Sequence, residues 1–254
     1  MAKLVLLNTR IFAGAADLTG NSNQVEMSSE VEEKDVTAFQ AAGSGGWKDL
    51  IGGLASTKIS ASGQWEATTN AQSIDPTTWD NLTALRQQPW TIAPETTAVG
   101  DLAYFTKALR TTYKIGDAVG EVAPWEGEAT GSSLLLRGVI AHPPATARTA
   151  NGTGTGINLG ALSSTQRLYA SLHVLSLSGT STPTITVRVE SSADNIFGSP
   201  TTRATFSAST QADTASRGQF VNVTGPITDA WWRLAWTVSG TTPSFLFTSA
   251  LGIA

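Results

Sequence analysis

Three features of the chain predict a mainly all-β protein of two modules: hydrophobicity alternating with period two, a single segment with helix signals, and a sharp break in charged composition. Period two marks strands with one buried face, because successive side chains point to opposite sides of a sheet. All six lysines fall between Lys3 and Lys114, and the later residues use arginine as their only strong base. Before Ile140 stand 16 of the 20 acids against ten of the 16 bases, a net charge near −6, and the rest is near +2. The boundary falls at His142-Pro143-Pro144, because paired prolines fix φ and interrupt helix and sheet alike. It divides residues 1–143 from residues 144–254.

In the first module Val25, Met27, Ser29 and Val31 alternate with Glu26, Ser28, Glu30 and Glu32. From Ser56 to Ala67 the same pattern sets Ile59, Ala61, Gly63 and Trp65 against Lys58, Ser60, Ser62, Gln64 and Glu66. Each strand is thus expected to have one fully polar face. Between them, residues 37–55 carry five glycines and read as a long loop that orders against a neighbour, with Trp47, Leu50 and Ile51 as its apolar assembly contacts. Asp75-Pro76 supplies an N-cap followed by a proline at the first helical position, so one short helix is expected before Pro89. Its Trp79, Leu82 and Leu85 are spaced to dock on a sheet.

The second module repeats a unit. Leu172–Leu177 runs into Ser178-Gly179-Thr180-Ser181-Thr182-Pro183, and Arg233–Val238 runs into Ser239-Gly240-Thr241-Thr242-Pro243. Strand, SGT-Pro turn and strand read as two hairpins. With Thr184–Val189, Arg203–Phe206 and Phe245–Ile253, the strands suit a β-sandwich, of jelly-roll or Ig-like type. Leu168, Leu172, Val174, Ile185, Val187, Val189, Phe206, Trp232, Leu234, Trp236, Phe245 and Phe247 form its expected core. Trp231 and Arg233 share the opposite face and are the candidates for an exposed ligand contact. The Gly152–Gly156 run reads as a linker or turn, since no helix follows it to make a phosphate cradle.

Little catalytic chemistry is available. With no cysteine there is neither a disulfide framework nor a thiolate metal site, and His142 and His173 are the only histidines. His173 lies among apolar strand residues and reads as a packed or surface histidine, and His142 as a loop residue. No Gly-x-Ser-x-Gly elbow follows a strand. The expectation is a protein that is not an enzyme and carries no catalytic, cofactor or metal site. A pI near 5.2 without a basic cluster argues against ordinary nucleic-acid binding. Met1–Leu7 is too short an apolar run for a secretory signal, which points to synthesis in a cytoplasm.

The first module resembles the major tail tube proteins of long-tailed, siphovirus-type bacteriophages. The resemblance rests on the LTGNSNQVEM segment, the Gly-rich loop ending in GGLASTKISASGQWEA, the helix at DPTTWDNLTAL and the closing GDLAYFTKALRTTYKIGDAVGEVAPWEGEATG, over roughly residues 10–140. Residues LYASLHVLSLSGT through DAWWRLAWTVSGTTPSFLFTSALGIA look like an accessory β-sandwich fused to some phage tail proteins. The resemblance implies a structural virion protein whose subunits close hexameric rings around one barrel. The rings stack into a tube that conducts double-stranded DNA without specific binding, with tape measure, tail tip and terminator proteins as partners. Glu26, Glu30, Glu32 and Glu66 are then the lumen-facing candidates, where carboxylates would repel DNA phosphates. The competing reading is a carbohydrate-binding or adhesion protein of a phage tail, acting through the C-terminal sandwich with Trp231 and Arg233.

Overall fold

The computed structural model describes residues 7–37, 47–66, 74–117 and 120–254, and its described residues form an all-β protein with one short α-helix. The first part contains β1 (Arg10–Ala13), β2 (Ala16–Asp17), β3 (Ser22–Asp35), β4 (Leu50–Gln64), α1 (Ile74–Thr83), β5 (Gln87–Ala93), β6 (Leu102–Ile115), β7 (Pro124–Gly131) and β8 (Leu136–His142). Strand β6 is shared between two layers. Its first half pairs with β5 and β8, and its second half, from Ala108, pairs with β7, which pairs with β4 and through it β3. Strand β1 adds to β5 and β2 to β1. Between the layers lies a core of Ile11, Ala13, Leu18, Ile59, Ala61, Ile74, Trp90, Ile92, Trp125 and Ala129.

The expected alternation appears in the burial of β4, where Thr57, Ile59, Ala61 and Gly63 are buried and Lys58 and Gln64 exposed. Two expectations for this module are corrected. Residues 50–55 are not loop: β4 starts at Leu50, and its first residues pair with the end of β3, Asp35 opposite Leu50 and Val31 opposite Ala55. Residues 38–46 of that segment lie outside the described residues. The helix forms where Asp75-Pro76 predicts, but it docks through buried Ile74 and Thr78, which are four apart and face the sheet. Trp79 sits on the adjacent flank and is exposed, and Leu85 lies beyond the helix end and is exposed too.

The second part contains β9 (Gly152–Thr153), β10 (Ile157–Asn158), β11 (Arg167–Ser192), β12 (Thr201–Thr205), β13 (Ser209–Thr210), β14 (Gly218–Thr224) and β15 (Trp231–Ile253). The two SGT-Pro segments are not hairpin turns. Strands β11 and β15 run antiparallel along their whole lengths, from Leu168 opposite Ile253 to Ser192 opposite Trp231, and both SGT-Pro segments fall midway, with Thr180 opposite Thr241. The paired strands bend there together. Gly179 and Gly240 take φ of +137° and +100°, and Ser181, Thr182 and Thr242 are also left-handed. A Cβ on Gly240 would sit 2.8 Å from the Pro183 Cα, so glycine is required at the crease. Both halves of the folded ladder then face one core, which contains all twelve residues expected from the sequence.

The Gly-rich run is not a linker either, since β9 pairs Gly152 with Trp236 and Thr153 with Ala235. A Cβ at Gly152 would press on the Trp236 ring, which explains glycine at that position. The two parts are joined edge to edge by β8, which pairs with β6 on one side and with β15 on the other.

Candidate functional site

Strand β4 keeps β7 as a partner only from Thr57, opposite Gly131. Beyond that point β3 and β4 continue as a two-stranded arm, with Ser29–Asp35 and Leu50–Ser56 exposed throughout. At about 3.3 Å per residue the arm reaches roughly 20 Å past the body. A two-stranded ribbon is marginally stable in water, and this one leaves Val31, Val36, Trp47, Leu50, Ile51 and Leu54 exposed, Trp47 by 79% and Leu54 by 82%. Polar contacts hold its far end: the Asp49 N–H donates to Thr37 Oγ1 at 2.8 Å and the Thr37 N–H to Asp35 Oδ1 at 2.9 Å. Thr37 also holds the Asp35 carboxyl below its ordinary range.

At the base of the arm, β3, β4, β7 and the end of β6 present one polar face. Gln24, Ser60, Ser62, Thr112, Lys114, Glu126 and Glu128 line a shallow groove on it. Lys58 bonds Glu128 at 2.8 Å and Lys114 approaches Glu126 at 3.5 Å. The ammonium of Lys58 is held above its ordinary pKa by Glu128 first, with weaker contributions from Glu26 and Glu30.

Two of the four acidic candidates, Glu26 and Glu30, therefore meet on one face around Lys58. Glu32 lies out on the arm, paired with Lys34. Glu66 lies past the end of β4, where it accepts from Asn21 Nδ2 at 2.8 Å. Lys58, Lys114, Glu126 and Glu128 were not singled out from the sequence. The signal for the two glutamates is the alternation of the PWEGEATG segment, whose Trp125, Gly127 and Ala129 are buried while Glu126 and Thr130 are exposed.

The contact proposed for the second module is occupied. Arg233 donates to Glu190 at 2.9 Å and lies 4.3 Å from the centre of the Phe197 ring, leaving its side chain 16% exposed. Trp231 beside it is half-buried. Burial alone would raise the Glu190 carboxyl, but Arg188 and Arg233 together hold it below its ordinary range. Trp232 and Trp236 are core, as the alternation requires.

Both histidines are buried. His173 is packed, with Nδ1 2.8 Å from the Gly14 carbonyl and Nε2 2.8 Å from Thr91 Oγ1. His142 is no loop residue: it ends β8, stacks on Phe247 and receives the Arg148 Nε–H at 3.0 Å. Desolvation pushes both imidazoles down to about 4.

No protein-family profile matches the chain, and no curated protein does. Among solved structures, the chain is similar to a protein of the native gene transfer agent virion, 17% identical, covering 52% of this chain and 97% of that one at a TM-score of 0.41. A protein from the tail of the empty gene transfer agent particle, determined with C6 symmetry, is 18% identical over 51% of this chain and 92% of that one, at a TM-score of 0.39. The Dit protein of phage SPP1, described as a paradigm of the hub adsorption apparatus in phages infecting Gram-positive hosts, is 10% identical. It covers 96% of this chain and 98% of that one at a TM-score of 0.32.

Proposed function

We propose that this chain is a structural subunit of a phage tail virion, polymerising as stacked, hexameric rings into a tube that conducts genomic DNA. The observation carrying this reading is the arm: a ribbon with six exposed apolar side chains that no other described residue covers is suited to packing on a second copy. An arm docking on a different patch of the neighbour makes a heterologous contact, which closes into a ring or propagates as a stack.

The polar face fits a water-filled lumen. Glu26, Glu30, Glu126 and Glu128 outnumber Lys58 and Lys114 there, so the face stays negative and would repel DNA phosphates while letting the duplex slide. Division into a ring-forming part, residues 1–143, and an outward sandwich, residues 144–254, belongs to the same reading. Adhesion through Trp231 and Arg233 is less supported, because the guanidinium is already committed to Glu190 and Phe197.

Negative-stain microscopy of the purified chain tests the proposal. Rings or hollow tubes are expected, and discrete monomers at every concentration that allows imaging would overturn it.

A further inference from the structure

A cavity of about 420 Å³ opens where the two parts of the chain meet, between α1, the start of β5 and β6 on one side and the segment Thr214–Gly218 on the other. That volume falls within the range of small-molecule sites, roughly 300–1,000 Å³. Its lining departs from the usual apolar composition, since no side chain apolar and larger than alanine contributes. Instead Arg86, Lys107 and Arg217 line it together with Gln87 and Gln88, and Asp80 is the one carboxylate among the described lining residues.

The cations are not neutralised. Among the described residues, none of the three has a carboxylate within ion-pair distance, and the charged groups of Arg86 and Lys107 have no hydrogen-bond partner. Arg217 is buried and held in place by the carbonyls of Gln211 at 3.0 Å and Thr210 at 3.4 Å. Burial lowers its pKa, opposed by the nearby Asp213. Three cations against the single carboxylate of Asp80 leave the concavity with a net positive charge that favours an anion.

The walls are built to stay open to polar groups. Asn81 Nδ2 donates to Gln88 Oε1 at 2.9 Å, which orients the Gln88 amide. Gly14 and Gly218 let the two parts touch here: a Cβ on Gly218 would lie 2.6 Å from the Gly14 Cα, and one on Gly14 would strike the Gln88 side chain. Among the described residues no aromatic ring lines the site, and none offers a stacking surface to select a neutral sugar.

We infer that this junction cleft binds a small hydroxylated anion, with Arg86, Lys107 and Arg217 receiving a phosphate or carboxylate and the amides meeting neighbouring hydroxyls. The inference does not depend on ring assembly, because the cleft lies within one chain.

Calorimetric titration of the full chain with glucose 6-phosphate, glucuronate and glucose, at fixed ionic strength, tests it. At least one anion is expected to bind and glucose not to. The tighter of the two anions identifies the group the site takes. Combining Arg86→Gln with Lys107→Met, both surface changes, should weaken the anion at least tenfold with the variant's unliganded melting temperature unchanged. Absence of binding by both anions at 10-millimolar-scale concentrations, equal binding of glucose, or an anion affinity that survives the double substitution would each overturn the inference.

Discussion

Two buried side chains carry the sharpest consequences at the scale of single residues. His173 ties the second part of the chain to the first: Nδ1–H donates to the Gly14 carbonyl, Nε2 meets the Thr91 hydroxyl, which also meets Ser171, and burial favours the neutral ring. Its surroundings are that carbonyl, those hydroxyls and the Phe12 ring. Because the folded pKa is depressed to about 4, the favoured neutral form contributes stability fully above the unfolded value near 6.5, and that contribution is lost as pH falls from 6.5 toward 4. At pH 5 the loss is on the order of 2 kcal/mol, while exposed carboxylates are still largely ionised. Urea unfolding at pH 7 and pH 5 should show it together with a similar loss from His142, and His173→Gln should remove about half of the difference. An unchanged slope in that variant would assign the acid sensitivity elsewhere. Arg110 is the opposite case. It is 3% exposed, its three guanidinium nitrogens have no hydrogen-bond partner among the described residues, and the Trp90 ring lies 5.0 Å away. Burial lowers its pKa to about 10. Replacing an unpaired buried cation by an apolar chain of similar length removes a desolvation penalty, so Arg110→Met should stabilise by about 1–4 kcal/mol. A lower melting temperature would show that the cation–π contact outweighs that penalty. Neither feature was legible in the sequence. His173 read as a packed or surface histidine, but its partners are 82 and 159 residues away, and Arg110 looks like any strand arginine.

Elements were legible where one periodicity decided them. The polar and apolar faces of β3 and β4 follow directly from alternation, as does the core face of Trp232, Leu234 and Trp236. Elements failed where a local turn signal had two meanings. Gly-Thr with a following proline reads as a reversal, yet here the left-handed residues crease two strands that are already paired. The partner that distinguishes a crease from a turn lies 61 residues away, so no local pattern could reveal it. Similarly, glycines 52 and 53 suggested loop, but they sit in the arm, where Gly53 opposes the Glu32 side chain so closely that a Cβ would lie 2.9 Å from Oε2. The arm carries the assembly prediction. Ile51 and Leu54 are exposed, so Ile51→Lys with Leu54→Lys should leave monomer stability within about 0.5 kcal/mol. The same change should abolish rings by placing two ammonium groups in an apolar contact. Deleting residues 41–53 trims the ribbon without touching the β4–β7 ladder, which begins at Thr57, and should act alike. Tubes of normal length from either variant would show that the arm is not an assembly contact.

The whole molecule follows from how its two parts share β8. The lysine-free, Thr-rich segment buries a core that, among the described residues, takes only Ala141 from before the prolines. What composition misses is the seam. Strand β8 passes its second edge to β15, with Ile140 opposite Ala250 and Val139 opposite Leu251, and a small core of Ala93, Ala103, Phe105, Leu136, Ile140 and Ala250 closes beneath Tyr169 and Phe220. Backbones approach closely at that seam, where a Cβ on Gly138 would lie 2.8 Å from the Leu251 carbonyl carbon. Severing the chain therefore has unequal effects. Residues 146–254 lose the β8 partner of β15, the His142 ring on Phe247 and the bonds of His173 to Gly14 and Thr91, but keep their own core and should still unfold cooperatively as an isolated monomer. Residues 1–145 lose the cover over Phe105 and Ile140 and gain an unpaired β8 edge, a template for unwanted strand pairing. That fragment should melt below the intact chain. If the sandwich projects from the outer wall, the fragment should nevertheless form tubes, since the arm and the polar face lie wholly within it. Calorimetry of the two fragments and the full chain, with microscopy of residues 1–145, separates these effects. A folded 1–145 fragment without tubes would assign the sandwich to the ring or the stack, whereas an unfolded one would make the seam part of the first module's own core.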